Sequence, residues 1–179
     1  MKLLINLFII SLFPFFLTNG AKNANRQASA SLAIADTNTA ATDAEPYCNT
    51  RFGFCLEYPT TLLTNKVEGE NEDGIELYNE AGTFQVAAYG SFDLFNWDAQ
   101  EIYDFNMKSI AHGDSEIIVF SQTIDADHYA TDFLYKGYIH HQEVWLSADY
   151  YLTLNISVPE GQKEWLEMLR ETVKLTIKA

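Results

Sequence analysis

The chain has few basic residues for its length. Only 11 of its 179 residues are Lys or Arg, whereas 25 are Asp or Glu, so the net charge at pH 7 is −14. A surface of this sign repels nucleic acid and anionic lipid headgroups, both of which bind to clustered Lys and Arg. We therefore expect no nucleic-acid partner, and we interpret the acidity mainly as a contribution to solubility.

The sequence also lacks the local motifs of several enzyme classes. It contains no Gly-x-Ser-x-Gly nucleophile elbow, no His-Glu-x-x-His zinc helix and no glycine-rich phosphate loop. Catalysis by cysteine needs a free thiol next to a histidine, and both thiols of this chain are expected to be bridged. We therefore predict a protein that is not an enzyme and that binds no cofactor.

Cysteine is scarce as well, with only Cys48 and Cys55 present. An even number of cysteines in an exported protein favours a disulfide. A disulfide requires the two Cα atoms to lie within about 7 Å of each other. The chain must therefore turn between them, and Asn49-Thr50 has the residue types of a turn. Because the Cys-x-x-Cys spacing of redox sites is absent, we predict a structural bridge between Cys48 and Cys55.

The start of the chain is a long apolar run. Residues 3–17 are almost entirely apolar, Lys2 precedes them, and small or polar residues follow at 18–21. This pattern predicts a secretory signal peptide at residues 1–21, because the run is shorter than the about 20 residues of a membrane span and contains Pro14. We expect an exported protein, periplasmic or secreted. If the segment stays uncleaved, the protein is instead a membrane-tethered accessory subunit.

The composition changes after the apolar run and again at Tyr47. Residues 22–46 are rich in Ala, Asn, Thr, Ser and Asp and contain no aromatic residue before Tyr47. A segment that buries so little apolar surface does not offset the entropy lost on ordering. Residues 22–46 are therefore predicted to be a flexible linker, and residues 47–179 are predicted to form a single domain.

Two hydrophobic periods alternate along the domain. A helical period begins after Trp97, where Asp98 and Glu101 form a capping-box pattern, and we expect Gly113 to end this helix. A second helical stretch follows Pro159. The period of two that is typical of half-buried strands occurs in seven other segments: residues 52–58, 75–78, 83–89, 116–124, 129–138, 140–148 and 150–158.

The order of these segments predicts the fold class. Short, turn-like joins separate the last four predicted strands, so neighbouring strands are expected to pair as antiparallel hairpins. Each helix has one apolar stripe and needs a sheet face to cover. The sequence therefore predicts an α+β fold, with a central antiparallel sheet of about six or seven strands flanked by two main helices.

One segment resembles a known family. Residues 49–59 read Asn-Thr-Arg-Phe-Gly-Phe-Cys-Leu-Glu-Tyr-Pro, and this strand ending in Tyr-Pro resembles the opening of exported bacterial domains of unknown function. Those domains have the PsbP-like fold, named after an extrinsic protein of photosystem II. The resemblance covers residues 47–179 through the order of elements. It implies an accessory binding module with no catalytic residues to carry over, and it transfers no partner or ligand.

Aromatic residues are concentrated in the predicted strand meander. Tyr129, Phe133 and Tyr135 share one strand face, and we expect Trp145 across from them on the same sheet surface. Part of such a cluster belongs to the core beneath a helix, but aromatic side chains that stay uncovered anchor interfaces and pockets. These four residues are therefore the candidate binding surface for a protein or small ligand, with a place in the core as the alternative.

A metal site on the same strands is the alternative from another functional class. The adjacent His140 and His141 face opposite sides of a strand, so they cannot bind one ion together. His141 and Glu143 share a face, and His128 lies on the preceding hairpin. Zinc requires three or four ligands, so a metal-dependent hydrolase would need His128, His141 and Glu143 to converge on one point. We predict no metal site and keep this hydrolase as the alternative to a binding domain.

Overall fold

The computed structural model describes residues 46–111 and 116–178. The predicted signal peptide, residues 22–45 of the predicted linker and the expected helix cap at Gly113 lie outside the described residues. No helix in the described part is both long enough and apolar enough to cross a membrane. The elements are β1 (Tyr47–Asn49), β2 (Phe54–Glu57), β3 (Asn65–Glu68), β4 (Gly74–Tyr78), β5 (Gln85–Phe92), α1 (Ala99–Ala111), β6 (Ile118–Ile124), β7 (His128–Tyr135), β8 (Tyr138–Leu146), β9 (Tyr150–Pro159), α2 (Lys163–Thr172) and β10 (Lys174–Ile177).

A seven-stranded antiparallel sheet organises the domain. Its strand order is β3-β4-β5-β9-β8-β7-β6, and every neighbouring pair is antiparallel. Strands β6 to β9 follow one another in both sequence and space, because short turns can join only antiparallel neighbours. The predicted α+β class, with a central antiparallel sheet and two main helices, is confirmed.

The ends of the domain differ from the prediction in three places. β2, β1 and β10 form a separate three-stranded sheet rather than part of the central one. No strand is predicted between residues 58 and 75, but the structure has β3 there, and its four residues are all exposed. Such a strand has no buried face and therefore no alternation that a sequence pattern could reveal. After α2, the backbone at Val173 becomes extended and the chain enters β10.

The two faces of the large sheet are covered by different elements. Alternate residues of β9 (Leu152, Leu154, Ile156 and Val158) are buried against the small sheet and the α2 residues Leu166 and Leu169. This side of the sheet is called the α2 face below. The other side, the α1 face, meets Ile102 and Tyr103 of α1 at Tyr129 and Val144. Both faces are therefore buried in part, and each helix covers one of them.

The predicted disulfide is confirmed. Cys48 and Cys55 are bonded, with a Cα–Cα distance of 4.1 Å, and they lie directly opposite each other in the β1–β2 pair. The turn between them is closed by Asn49, whose side-chain oxygen accepts a hydrogen bond from the Phe52 backbone N–H at 2.9 Å. A bridge across a loop of this length stabilises the fold by about 2–3 kcal/mol on the chain-entropy model.

The capping box of α1 is also confirmed. The Glu101 backbone N–H donates to the Asp98 carboxylate at 2.9 Å, and the Asp98 backbone N–H donates to the Glu101 carboxylate at 3.0 Å. These reciprocal bonds satisfy two backbone donors that have no partner inside the helix. They fix the start of α1 and therefore also the geometry of the loop that enters it.

Candidate functional site

Two of the four predicted surface aromatics are buried. Tyr129 is fully buried beneath α1, where its ring meets Tyr103 edge-on at 5.4 Å between centroids. Its hydroxyl accepts a hydrogen bond from Asn106 and donates one to Gln142, both at 2.7 Å. Phe133 is 1% exposed. The prediction that these residues form a binding surface is therefore corrected. Tyr129 and Phe133 belong to the core, and Tyr135 is half-buried.

Trp145 lies on the opposite side of the sheet from Tyr129. The β7–β8 register pairs Tyr129 with Val144 and His128 with Trp145. Because successive residues of a strand point to opposite faces, Trp145 is on the α2 face, where its ring lies 5.4 Å from that of His128. The expectation of one surface shared by all four aromatics was wrong, because a difference of one residue in register exchanges the two faces.

The α2 face carries a group of charged side chains, Asp132, His141, Glu143 and Arg170, called the ionic cluster below. His141 has only 3% of its side chain exposed, and its Nδ1 and Nε2 lie 2.7 Å from Asp132 and 2.8 Å from Glu143. Arg170 reaches Asp132 from α2 at 3.4 Å. The sequence placed His141 and Glu143 on one face, but it gave no sign of Arg170, which is 38 residues from Asp132.

The protonation of the ionic cluster follows from these contacts. Burial alone lowers the pKa of His141, but its hydrogen bonds to Asp132 and Glu143 raise the pKa above the ordinary value of 6.5. Burial likewise raises the pKa of Asp132, yet the bonds from His141 and Ser121 bring it down to about 2. The bond from His141 also lowers the pKa of Glu143. At about pH 6, below the raised pKa of His141 and above the lowered pKa values of both acids, the arrangement is therefore a cationic imidazole held between two carboxylates.

This geometry does not support the hydrolase alternative. Glu143 approaches both His141, at 2.8 Å, and His128, at 3.8 Å. Both nitrogens of His141 are already used by carboxylates, so neither offers the free lone pair that a metal ion requires. Among residues 46–111 and 116–178, no group of three or more histidine, cysteine or carboxylate side chains is arranged to hold a metal.

A recess of about 180 Å³ opens next to the ionic cluster. His141, Glu143 and Arg170 form its polar side, and Trp145 and Leu175 contribute to its apolar side. Pockets for small organic ligands usually measure 300 Å³ or more. We therefore do not regard this recess as the main binding site of the domain.

Residues 92–97, called the aromatic loop below, run from the last residue of β5 towards α1 and include strongly exposed apolar side chains. Leu94 is 73% exposed, Phe95 70% and Phe92 53%. No motif in the sequence marks this loop as a site, although four of its six residues are large and apolar. This concentration of apolar residues between two periodic segments could have indicated the loop. It could not show that the side chains are exposed, because tertiary packing decides their exposure.

The aromatic loop is held in one conformation. The Asp93 backbone N–H donates to the Asp149 carbonyl at 2.9 Å, and the Asp93 carboxylate accepts from the Phe95 N–H at 3.1 Å. The Phe95 ring stacks on Trp97 at 4.8 Å, and Trp97 in turn packs on Phe105 of α1 at 5.0 Å. The loop therefore presents its exposed apolar side chains from a fixed support.

The comparisons with known proteins agree with this architecture. The chain is similar to the solution structure of cyanobacterial PsbP (CyanoP) from Synechocystis sp. PCC 6803, with a TM-score of 0.54 and 12% sequence identity. The similarity covers 82% of this chain and 100% of that chain. The fold is PsbP-like. The resemblance noted from residues 49–59 is thus confirmed at the level of the fold.

The PsbP-like fold by itself identifies no partner. A crystal structure from Bacteroides thetaiotaomicron VPI-5482 shares 16% identity over 69% of this chain and 45% of that chain, with a TM-score of 0.37, which is too low to support an argument. No protein-family model and no curated protein matches the chain. Since a shared fold does not assign function, the binding residues have to be inferred from the geometry of this chain.

Proposed function

We propose that this chain is an exported, non-catalytic accessory domain that binds a protein partner through the aromatic loop. The observation that carries the proposal is the exposure of Leu94 and Phe95, the most exposed large apolar side chains of the described residues. Apolar groups that are exposed together mark interaction sites, and aromatic residues dominate the binding energy of many interfaces. The PsbP-like fold supports the accessory role by analogy.

The order and charge of the aromatic loop indicate what kind of partner fits. Because the loop is already held by hydrogen bonds and ring stacking, little conformational entropy is lost when it binds. The acidic residues Asp93, Asp98 and Glu101 lie in or next to the loop. They disfavour an anionic lipid surface and favour a protein with an apolar cleft and a basic rim.

The first prediction concerns binding through the aromatic loop. The double variant L94S/F95S is expected to retain a partner from the exported fraction at least about tenfold less well than the wild type, since each substitution removes a large apolar side chain that the complex would bury. The measurement is quantitative mass spectrometry of proteins retained on the immobilised domain. The matched control is V67S/I177S, which changes two other exposed apolar residues, at 52% and 45% exposure. Equal retention by all three proteins would contradict the proposal.

The second prediction concerns export. A structural disulfide persists in oxidising compartments, and the bridge between Cys48 and Cys55 together with the apolar start of the chain supports transport out of the cytoplasm. Native protein from the exported fraction is expected to contain no titratable thiol and to begin near residue 22. Thiol titration and N-terminal sequencing measure both properties. Intact chain in the cytoplasm with two free thiols contradicts export, and intact chain in the membrane fraction would show a tethered protein.

A further inference from the structure

Strand β6 forms one edge of the large sheet. Its inner side pairs with β7, and no other strand of the described residues pairs with its outer side. The apolar residues at its start are exposed: Ile118 at 48%, Val119 at 42% and Phe120 at 57%. An edge of this kind presents a row of unpaired N–H and C=O groups to which another strand can add.

β6 lacks the charges that usually protect such an edge. Its seven residues, Ile-Val-Phe-Ser-Gln-Thr-Ile, include no charged residue, no proline and no glycine. The opposite edge, β3, has Lys66 and Glu68, which form an exposed ion pair at 3.5 Å. Charged side chains on edge strands prevent unwanted pairing. β6, unlike β3, therefore has no charged side chain of its own to oppose the addition of a strand.

The inner side of β6 is held firmly in place. The register between β6 and β7 shifts at Phe120, where the strand has a bulge. The bulge is fixed by two hydrogen bonds: Thr131 donates to the Ser121 carbonyl at 2.9 Å, and the Ser121 hydroxyl donates to Asp132 at 2.6 Å. Asp132 belongs to the ionic cluster, so this hydrogen bond connects β6 to that cluster.

We propose that the outer edge of β6 binds an extended segment of a basic protein, which adds to the sheet as an eighth strand. Strand addition obtains its affinity from main-chain hydrogen bonds and its selectivity from alternate side chains. Exposed carboxylates flank the strand, Glu116 before it and Asp125 and Asp127 after it. A segment with apolar residues at its centre and Lys or Arg at both ends complements this edge.

The flanking charges disfavour a second copy of the chain as the occupant. If two copies of β6 paired antiparallel, the Glu116 end of each would lie beside the Asp125 end of the other. If they paired parallel, Glu116 of one copy would lie beside Glu116 of the other, and Asp125 beside Asp125. Both arrangements bring like charges together, which destabilises strand pairs. The β6 edge and the aromatic loop are formed by different residues, so substitutions can test this inference and the proposed function independently.

The experiment uses the full exported chain and a synthetic peptide. The peptide has seven central residues that alternate valine and serine, with two lysines at each end. It is expected to slow hydrogen exchange of the amides in residues 118–124 and to bind at least about tenfold more tightly than the same peptide with glutamates at its ends. Methylation of alternate peptide nitrogens is expected to abolish binding, because it removes main-chain donors.

Matched variants test whether β6 is the binding edge. Phe120→Lys places a positive charge and removes an apolar contact at the bulge, and it is expected to weaken binding of the lysine-flanked peptide by at least about tenfold. Val67→Lys makes a similar change on the other edge strand, β3, where the side chain is 52% exposed, and it is expected to change the affinity by less than about twofold. Thermal unfolding confirms that both variants are folded.

Four results would overturn the proposal. The first is that the lysine-flanked peptide protects no amide of β6, and the second is that the two lysine variants weaken binding equally. The third is that the β6 amides that point away from β7 already exchange slowly without peptide, since the edge would then be covered by the chain itself. The fourth is concentration-dependent self-association in sedimentation that Phe120→Lys abolishes, since the occupant would then be a second copy.

Discussion

Replacing His141 by leucine is expected to lower the free energy of unfolding by about 3 kcal/mol at pH 6. The substitution removes a buried cation and leaves the carboxylates of Asp132 and Glu143 without their closest partner, at 2.7 Å and 2.8 Å in the wild type. Breaking a buried charge pair by removing one partner costs about 3–5 kcal/mol. We expect the lower end of this energy range because the side chains of Asp132 and Glu143 are 20% and 29% exposed. Urea denaturation measures the difference.

The pH dependence of this effect has a definite sign. The pKa of His141 is raised in the folded state, so its contribution to stability is fully present below pH 6.5 and is lost as the pH rises through the raised value. The pKa of Asp132 is lowered from 3.8 to about 2, so its contribution is present above pH 3.8 and is lost as the pH falls towards 2. The difference between wild type and His141→Leu is therefore expected to be largest between about pH 4 and 6.5.

His128 provides the matched control for His141. It lies on the same face, and its Nε2 is 3.8 Å from Glu143, but 27% of its side chain is exposed. His128→Leu is expected to cost less than about 1 kcal/mol, as is usual for partly exposed ion pairs. If His141→Leu were also within about 1 kcal/mol of the wild type, the ionic cluster would not stabilise the fold as inferred here.

The features that could be predicted from the sequence are local ones. The capping box of Asp98 and Glu101 needs only a spacing of three residues, and the bridge between Cys48 and Cys55 needs only a turn between neighbouring strands. The alternation in β9 likewise follows from one strand and its own burial. Short joins between strands then require antiparallel neighbours. For this reason the α+β class and the central sheet could be predicted from the sequence alone.

The features that could not be predicted depend on register or on distant contacts. Trp145 was placed on the wrong face because the offset of the β7–β8 hairpin is not encoded by the alternation within either strand. Arg170 joins Asp132 only because α2 packs on the sheet, and no local pattern announces a contact across 38 residues. The exposure of Phe95 has the same origin, since a loop residue is buried or exposed according to what packs over it.

His140 titrates in the opposite direction to its neighbour in the sequence. It lies on the α1 face, stacked on Phe133 at 4.8 Å, with Nδ1 within 2.7 Å of the Ser157 hydroxyl. Burial lowers its pKa from 6.5 to about 4, although a hydrogen bond with the Tyr135 backbone acts in the opposite direction. Between about pH 4 and 6.5 the two adjacent histidines therefore hold different protonation states, because they face opposite sides of the sheet.

Replacing His140 by glutamine is therefore expected to protect the domain against acid. The contribution of a group with a lowered pKa is present above its ordinary value, here 6.5, and is lost as the pH falls towards the folded value of about 4. Over this interval the wild type is expected to lose about 3 kcal/mol through His140. Glutamine keeps a hydrogen-bonding group near Ser157 but does not titrate, so His140→Gln should avoid this loss.

Denaturation at pH 8 and pH 4.5 tests the expectation for His140. At pH 8 the variant is expected to lie within about 1 kcal/mol of the wild type, since the neutral imidazole and the amide fill similar roles. At pH 4.5, after correction for the difference at pH 8, the variant should be more stable by about 2–3 kcal/mol. His128→Leu again serves as a control, because it removes a histidine without removing a buried one. An NMR titration in which the His140 ring protonates near pH 6.5 in the folded protein would contradict the buried, neutral state from which this difference follows.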